Sequence, residues 1–258
     1  MLNYKDLVDE VLHSGEEYFG RNGKTRALFG RQIAFNLSAG FPIVTGRRIY
    51  YKGVLGELAA FLAGPTHVNH FKSQGCHYWD KFADEDGRMR LAYGNAWRSF
   101  HGVDQMERLI DGLQNEPYSR RHIITAWDPS GLDELTLQCC HYCYQWNVRA
   151  DGALDMIWIQ RSVDMMLGLP SDIILAAALN MLVAQTIGRE PGKIVLQLGN
   201  CHIYEEHWET AIEYLDSDIF LLPEVSLNKA ANINNFLPEM LALVDYKHGP
   251  KLSFELKT

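Results

Sequence analysis

From Ser171 to about Thr186 the chain reads SDIILAAALNMLVAQT, with Asp172 its one charged side chain. Ser171 fits the cap of a helix, and the residues after it are apolar on every side. Such a helix must be buried on most sides. The rest of the chain therefore has to wrap around it. At 258 residues, 47% of them hydrophobic, there is enough chain for that core. No apolar run of membrane-spanning length stands out, and the opening MLNYKDLVDE does not fit a signal peptide. Asp172 sits at the mouth of the apolar stretch. Either it faces water and marks a helix start, or it faces a pocket and reads a ligand.

The elements around that helix are short and mixed. Residues 4–19 carry apolar positions at helical spacing. RALFGRQIAFNL (26–37) reads as a strand closed by the SAGFP turn, and YKGVLGELAAFLAG (51–64) as a helix stopped at Gly64 with Pro65 beyond. VDQMERLIDGLQNEP (103–117) is an amphipathic helix ended by Pro117. HIITAWD (122–128) and CCHYCYQWNVRADG (139–152) are strands, the second closing in an Asp-Gly turn toward its hairpin partner LDMIWIQRS (154–162). KIVLQLGNCHIYEEHWETAIEYL (193–215) is a strand and then a helix. No linker, repeat or low-complexity tract divides the sequence. The expectation is one α/β (α+β) domain over 1–258, a mixed, largely antiparallel sheet around a buried central helix.

Net charge and cysteine usage narrow the partners. A formal charge of −8 argues against nonspecific nucleic-acid binding, so any phosphate must be held by a local arginine cluster. Five cysteines in a chain of this length fit reduced thiols in a cytoplasm better than a disulfide framework.

Three features bear on chemistry. Cys140 lies in LQCCHYCYQW and is either a core thiol or a nucleophile. A nucleophile needs a lowered pKa, for which Arg120, Arg121, Arg161 and His141 are the candidate sources. Cys140 and Cys143, with Cys201 and His202, have spacing that suggests zinc. On a strand, however, residues 140 and 143 point to opposite faces, so no metal is expected. Glu57 falls on the apolar stripe with Val54, Leu58 and Phe61. There it either snorkels to water or is buried as a protonatable acid/base group. Arg21, Arg120, Arg121 and Arg161 with Ser162 are surface charges or a dianion site, since guanidinium forks match phosphate oxygens. No phosphate-binding glycine loop of the triphosphatase kind is present.

QRSVDMMLGLPSDI, then GNCHIY, with CCH and SRR upstream, resembles the thymidylate synthase family, and the likeness runs from VDEVLHSGE to the end of the chain. It includes FNLSAGFPIVTGRR, GELAAFLAG, YWDKFADEDG and YGNAWR. The resemblance implies a homodimer with shared active sites. It places the nucleotide phosphate on Arg21, Arg161 and Ser162 of one subunit and on Arg120 and Arg121 of the other. It makes Cys140 the nucleophile and Glu57 the acid/base group, and puts Tyr93 and His141 in the proton network. Gln160, Asp164, His202 and Tyr204 go to the nucleotide. Trp79, Phe82, Asp164, Leu167 and Gly168 go to the co-substrate 5,10-methylenetetrahydrofolate.

The departures are informative. The family's Pro-Cys-His reads Cys139-Cys140-His141 here. A usual His is Tyr50, a usual Lys is Arg47, and a usual Trp is Phe82. Thymidylate synthases carry an Asn at the position of Asp172, whereas relatives acting on cytosine nucleotides carry an Asp. A carboxylate accepts from both N4–H and a protonated N3 of cytosine, and an amide leaves one pair mismatched. The N-terminal end of the helix is expected to support the charged form of Asp172. The implied chemistry is attack of the Cys140 thiolate at C6, addition of the folate methylene at C5, and then one of two endings. Either water adds to give a 5-hydroxymethyl nucleotide, or hydride transfer gives a methyl group. The charged end of KLSFELKT favours water over the short aliphatic tail of methyl-transferring members. Hydroxymethylation of dCMP or CMP is thus the leading expectation. The alternatives are dCMP methylation, dTMP synthesis from dUMP, and an inactive nucleotide- or RNA-binding relative.

Overall fold

Gly15 divides what the periodicity reads as one helix over 4–19. Helix α1 (Leu2–Ser14) stops there, because Gly15 is extended at φ −70°, ψ 141° while its N–H still bonds Val11 O. A Cβ on Gly15 would come within 2.3 Å of that carbonyl. Residues 16–19 therefore belong to strand β1 (Glu16–Gly20), which turns back antiparallel into β2 (Gly23–Asn36). The computed structural model describes residues 1–89, 93–134 and 137–257.

The remaining helices are α2 (Tyr51–Leu62), α3 (Val68–Lys72), α4 (Tyr93–Ser99), α5 (Gln105–Asn115), α6 (Gly168–Thr186) and α7 (Trp208–Leu215). The strands are β3 (Ile123–Thr125), β4 (His141–Val148), β5 (Leu154–Asp164), β6 (Pro191–Tyr204) and the small pair β7 (Glu224–Leu227) and β8 (Leu241–Val244). The main sheet runs β1-β2-β6-β5-β4-β3, antiparallel throughout except for the β5–β6 pair. This is the expected α+β arrangement, with the predicted β4–β5 hairpin in place. Two strands are shorter than the sequence suggests. Residues 122–128 keep only three in ladder, and 139–152 pair only from His141 to Val148. Helix α5 is capped by Asp104, whose carboxylate accepts from Glu107 N–H at 2.9 Å.

Helix α6 is the buried centre, packed against β5, β6 and α2. Ile173 through Leu179 are all buried. By length and hydropathy α6 would pass for a membrane span, against the expectation that none exists, yet 78% of its apolar window is buried within the protein. Its start also differs. Ser171 is not the cap: the helix begins at Gly168, and Ser171 bonds back to Leu167 O. Asp164 at the end of β5 instead fixes the entry to the helix: its Oδ1 takes Met166 N–H at 2.9 Å and Leu167 N–H at 3.1 Å, the two residues before the first turn.

One face of the sheet carries this core. On the other face the register sets Ala34 beside Val195 beside Ile157, and Gln32 beside Gln197 beside Ile159. Ala34 and Gln32 are exposed and the other four are half-buried, so this face has no covering layer in the single chain.

Candidate active site

The site forms where β4, β5 and β6 meet the start of α6. Cys140 stands just before β4. Its N–H donates to Tyr93 Oη at 2.9 Å, and its carbonyl accepts from Arg161 N–H at 2.8 Å. The ladder slips between His141 and Cys143, so the strict alternation expected of the strand does not hold across these residues. Among the described residues no three His, Cys, Asp or Glu side chains gather as metal ligands, and all five cysteines are free.

Burial pushes the Cys140 thiol above its usual range. Arg161 opposes that and Asp172 adds to it. This corrects the expectation of a ready thiolate. The Arg161 guanidinium is turned to Cys139 O (2.9 Å) and Gln138 O (3.0 Å), where it braces the backbone leading into Cys140. His141 offers no positive charge, because burial keeps its ring neutral. That ring stacks on Tyr93 with centroids 3.8 Å apart, and its Nδ1 lies 2.5 Å from Tyr144 Oη.

Asp172 faces this group and not water. It is 8% exposed, Gln160 Nε2 donates to its Oδ2 at 2.7 Å, and its Oδ1 lies 3.9 Å from His141 Nε2. Desolvation, reinforced by the nearby Glu57 carboxyl, raises its pKa well above the ordinary carboxyl range. Burial thus favours the neutral acid, against the expectation that the helix end supports the charged form: Asp172 is the fifth residue of α6, beyond the first turn where the terminal partial charge acts. Gln160 is spent on positioning, since its Oε1 accepts from Trp158 Nε1 at 3.1 Å.

Glu57 on α2 is buried at 6% exposure and does not snorkel. Trp79 Nε1 donates to Oε1 at 2.7 Å and Tyr78 Oη to Oε2 at 2.6 Å. Burial lifts its pKa to about 7, and the two donors pull the other way. Phe61, one turn further along α2, joins it to the aromatic cluster of Trp79, Tyr93 and His141. Half-buried Phe82 meets Trp79 edge to face at 5.4 Å. Gly168 leaves room over both carboxyls: a Cβ there would lie 3.6 Å from Asp164 Cβ and 3.7 Å from Asp172 Oδ2.

The residues expected to hold the nucleotide fall into two places. Tyr204 and His202 lie at the end of β6, with Tyr204 near the Asn22 and Arg21 side chains of the β1–β2 turn. His202 Nδ1 faces two acceptors, Asn200 O and Oδ1, so it carries the ring proton and leaves Nε2 to accept. Ser162 stands opposite Asn200 on the β5–β6 ladder. Arg120 and Arg121 are not with them. Both are exposed on the loop before β3, and Arg121 bonds Glu116 at 3.0 Å and Ser119 at 3.3 Å. That loop leads into one edge of the six-stranded sheet and Arg21 sits at the other. With strands roughly 4.8 Å apart, the two edges are on the order of 20 Å apart.

Of the departures, Tyr50 is exposed, while Arg47 is buried, bonds Met166 O and lies 4.7 Å from the Phe254 ring. The tail is pinned by His207 to Glu255 O and by the Lys257–Glu206 ion pair at 2.8 Å. Thr258 lies outside the described residues. Two polar residues of the site escaped the sequence reading, Tyr78 and Tyr144. Nothing distinguishes them in the sequence from other aromatic residues of the core, and only their hydroxyl partners give them away.

The thymidylate synthase family model matches residues 2–258. The thymidylate synthase of Corynebacterium aurimucosum is 36% identical over 259 residues, spanning 98% of this chain and 96% of that protein.

Proposed function

Since the chain belongs to the thymidylate synthase family, whose members transfer a one-carbon unit from methylenetetrahydrofolate to a pyrimidine nucleotide, we propose that its substrate is a cytidine monophosphate, dCMP or CMP, and its product the 5-hydroxymethyl nucleotide. The observation that carries this reading is Asp172, a buried acid at the position of the amide that meets uracil. Gln160 donates to Oδ2, so that oxygen must accept, and the acid's proton sits on Oδ1. An Oδ1–H donor matches the bare N3 of cytosine and opposes the N3–H of uracil. As sulfur adds at C6, N3 gains basicity, and the proton of Asp172 is in place to neutralise it.

The other side chains divide the remaining work. Cys140 loses its proton on nucleotide binding and attacks C6, with Tyr93 and Arg161 fixing the backbone on either side of the sulfur. The folate supplies the carbon at the oxidation level of formaldehyde. Phe82 and the edge of Trp79 offer its flat ring system an apolar surface, and the open position at Gly168 beside Asp164 supports its approach. Glu57, with its pKa near 7, takes and returns protons at neutral pH. Glu255 and Lys257, ion-paired with each other and, through Lys257, with Glu206, differ from the aliphatic tail of methyl-transferring members, which supports the hydroxymethyl ending.

Two observations support a homodimer with shared sites: the uncovered sheet face, and the separation of Arg120 and Arg121 from the phosphate residues of their own chain. The free thiols support a reducing, cytoplasmic setting.

The test compares kcat/KM for dCMP and dUMP in the native protein and in Asp172→Asn, with mass spectrometry of each product. The native protein favours dCMP and yields the hydroxymethyl nucleotide. The variant moves the ratio toward dUMP by tenfold to a few hundredfold, about 1–3 kcal/mol for one mismatched buried group. An unchanged ratio sinks the base-reading role of Asp172. A methylated product replaces water by hydride at the last step, and absence of C5 tritium release marks a binding protein.

A further inference from the structure

The two oxygens of Glu57 are held by donors of different kinds. Trp79 Nε1 on Oε1 can only donate, so Oε1 is an acceptor whatever the charge on the carboxyl. The proton of the acid form therefore sits on Oε2, against Tyr78 Oη at 2.6 Å. A phenol can both donate and accept. With Glu57 ionised, Tyr78 donates to Oε2. With Glu57 protonated, Oε2–H donates to Tyr78 and the phenol hydrogen turns away. A second indole at this position would leave a buried donor opposed to a donor in the acid form. An apolar ring would leave a buried carboxylate oxygen unmatched in the charged form.

We propose that Tyr78 is a positioning residue of the acid/base group: its hydroxyl keeps Oε2 of Glu57 hydrogen-bonded in both protonation states, and so lets one buried carboxyl work as base and then as acid in the same turnover. The titratable groups around Glu57 leave that task to Tyr78. Cys76, beneath the phenol, is pushed up to about 12 by burial and stays a neutral thiol. Tyr78 itself is raised well above the ordinary phenol range by the same cause and remains neutral. Burial raises the pKa of Asp172, across the site, well above the ordinary carboxyl range. Bonding from Tyr78 favours the charged form of Glu57 against its desolvation. The inference rests on the acid/base role given to Glu57 above.

The test is Tyr78→Phe, which keeps the ring and removes the hydroxyl. In protein labelled with 13C-glutamate, the Glu57 carboxyl is followed through pH by NMR and assigned by its loss in Glu57→Gln. The variant's midpoint should lie above the native one by about one pH unit, the loss of one hydrogen bond to the charged form. Tritium release from C5 of dCMP should fall about fivefold in kcat at neutral pH, recover as pH passes the new midpoint, and leave KM unchanged. A merely structural tyrosine would change stability or KM and leave the titration alone. An unmoved midpoint, or a moved midpoint with an unmoved pH profile, overturns the proposal. Should the native protein release tritium from no pyrimidine nucleotide, the reading of the function fails, and the midpoint alone decides for or against Tyr78.

Discussion

Glu57 makes Asp172 harder to ionise, while its own pKa is raised by burial. For Glu57 the consequence for stability has a definite sign. Its folded pKa, about 7, lies above the ordinary 4.5, so between these values the folded chain holds the proton more tightly than the unfolded one. Stability therefore falls as pH rises from 4.5 to 7 and levels off above that. Glu57→Gln removes the titration while keeping an acceptor for Trp79 and a partner for Tyr78. The variant should match the native protein near pH 4.5 and exceed it above pH 7 by about 3 kcal/mol, with C5 chemistry lost. Urea unfolding at the two pH values measures this, and equal stability difference at both would mean that Glu57 ionises freely.

Helices α2 and α4 cross so closely that Gly94 has no room for a side chain. A Cβ there would fall 2.3 Å from Phe61 O and 2.5 Å from Phe61 Cα, and neither backbone atom can yield cheaply. Tyr93, the neighbour of Gly94, owes its contact with Cys140 N–H to that approach. Gly94→Ala should thus separate the helices, cost about 3 kcal/mol or more in thermal unfolding, and slow C5 tritium release even where the variant stays folded. Full activity with native melting would show that the crossing has slack. The sequence foretold much at this scale because the signals are local: Pro117 ends α5, the Asp-Gly turn closes β4, and the apolar run of α6 can only be core. It missed the break at Gly15, since helical spacing continues through Glu16–Phe19 and only the strand partner Gly23–Ala27 outcompetes it. It also misplaced the start of α6, which begins at Gly168 after a turn held by Asp164 on the preceding strand. The membership of the family was legible through motif order, whereas the raised pKa of Asp172 and the partners of Glu57 depend on burial, which no linear pattern records.

On the scale of the whole molecule, the phosphate residues are divided between places that one chain cannot join. Arg21 lies by Tyr204 at one edge of the sheet, while Arg120 and Arg121 project from the loop before the opposite edge. A two-fold axis through the uncovered face, with Ala34, Val195, Ile157 and Ile159 at its centre, would bring each loop to the other subunit's site. The proposal makes a prediction that no single-chain site can satisfy. Arg121→Ala lacks a phosphate ligand but keeps Cys140, and Cys140→Ser lacks the nucleophile but keeps Arg121 and binds nucleotide. Each alone should turn over poorly or not at all. After subunits exchange, half of the dimers are mixed, and in each of those one site combines an intact Cys140 with an intact Arg121. About a quarter of all sites should then be whole, and activity should rise to about that fraction of the native rate. Mixed dimers isolated with two different affinity tags should carry all of the recovered activity. Failure of the purified mixed dimer to exceed its parents would place Arg121 in its own subunit's service and dissolve the shared site.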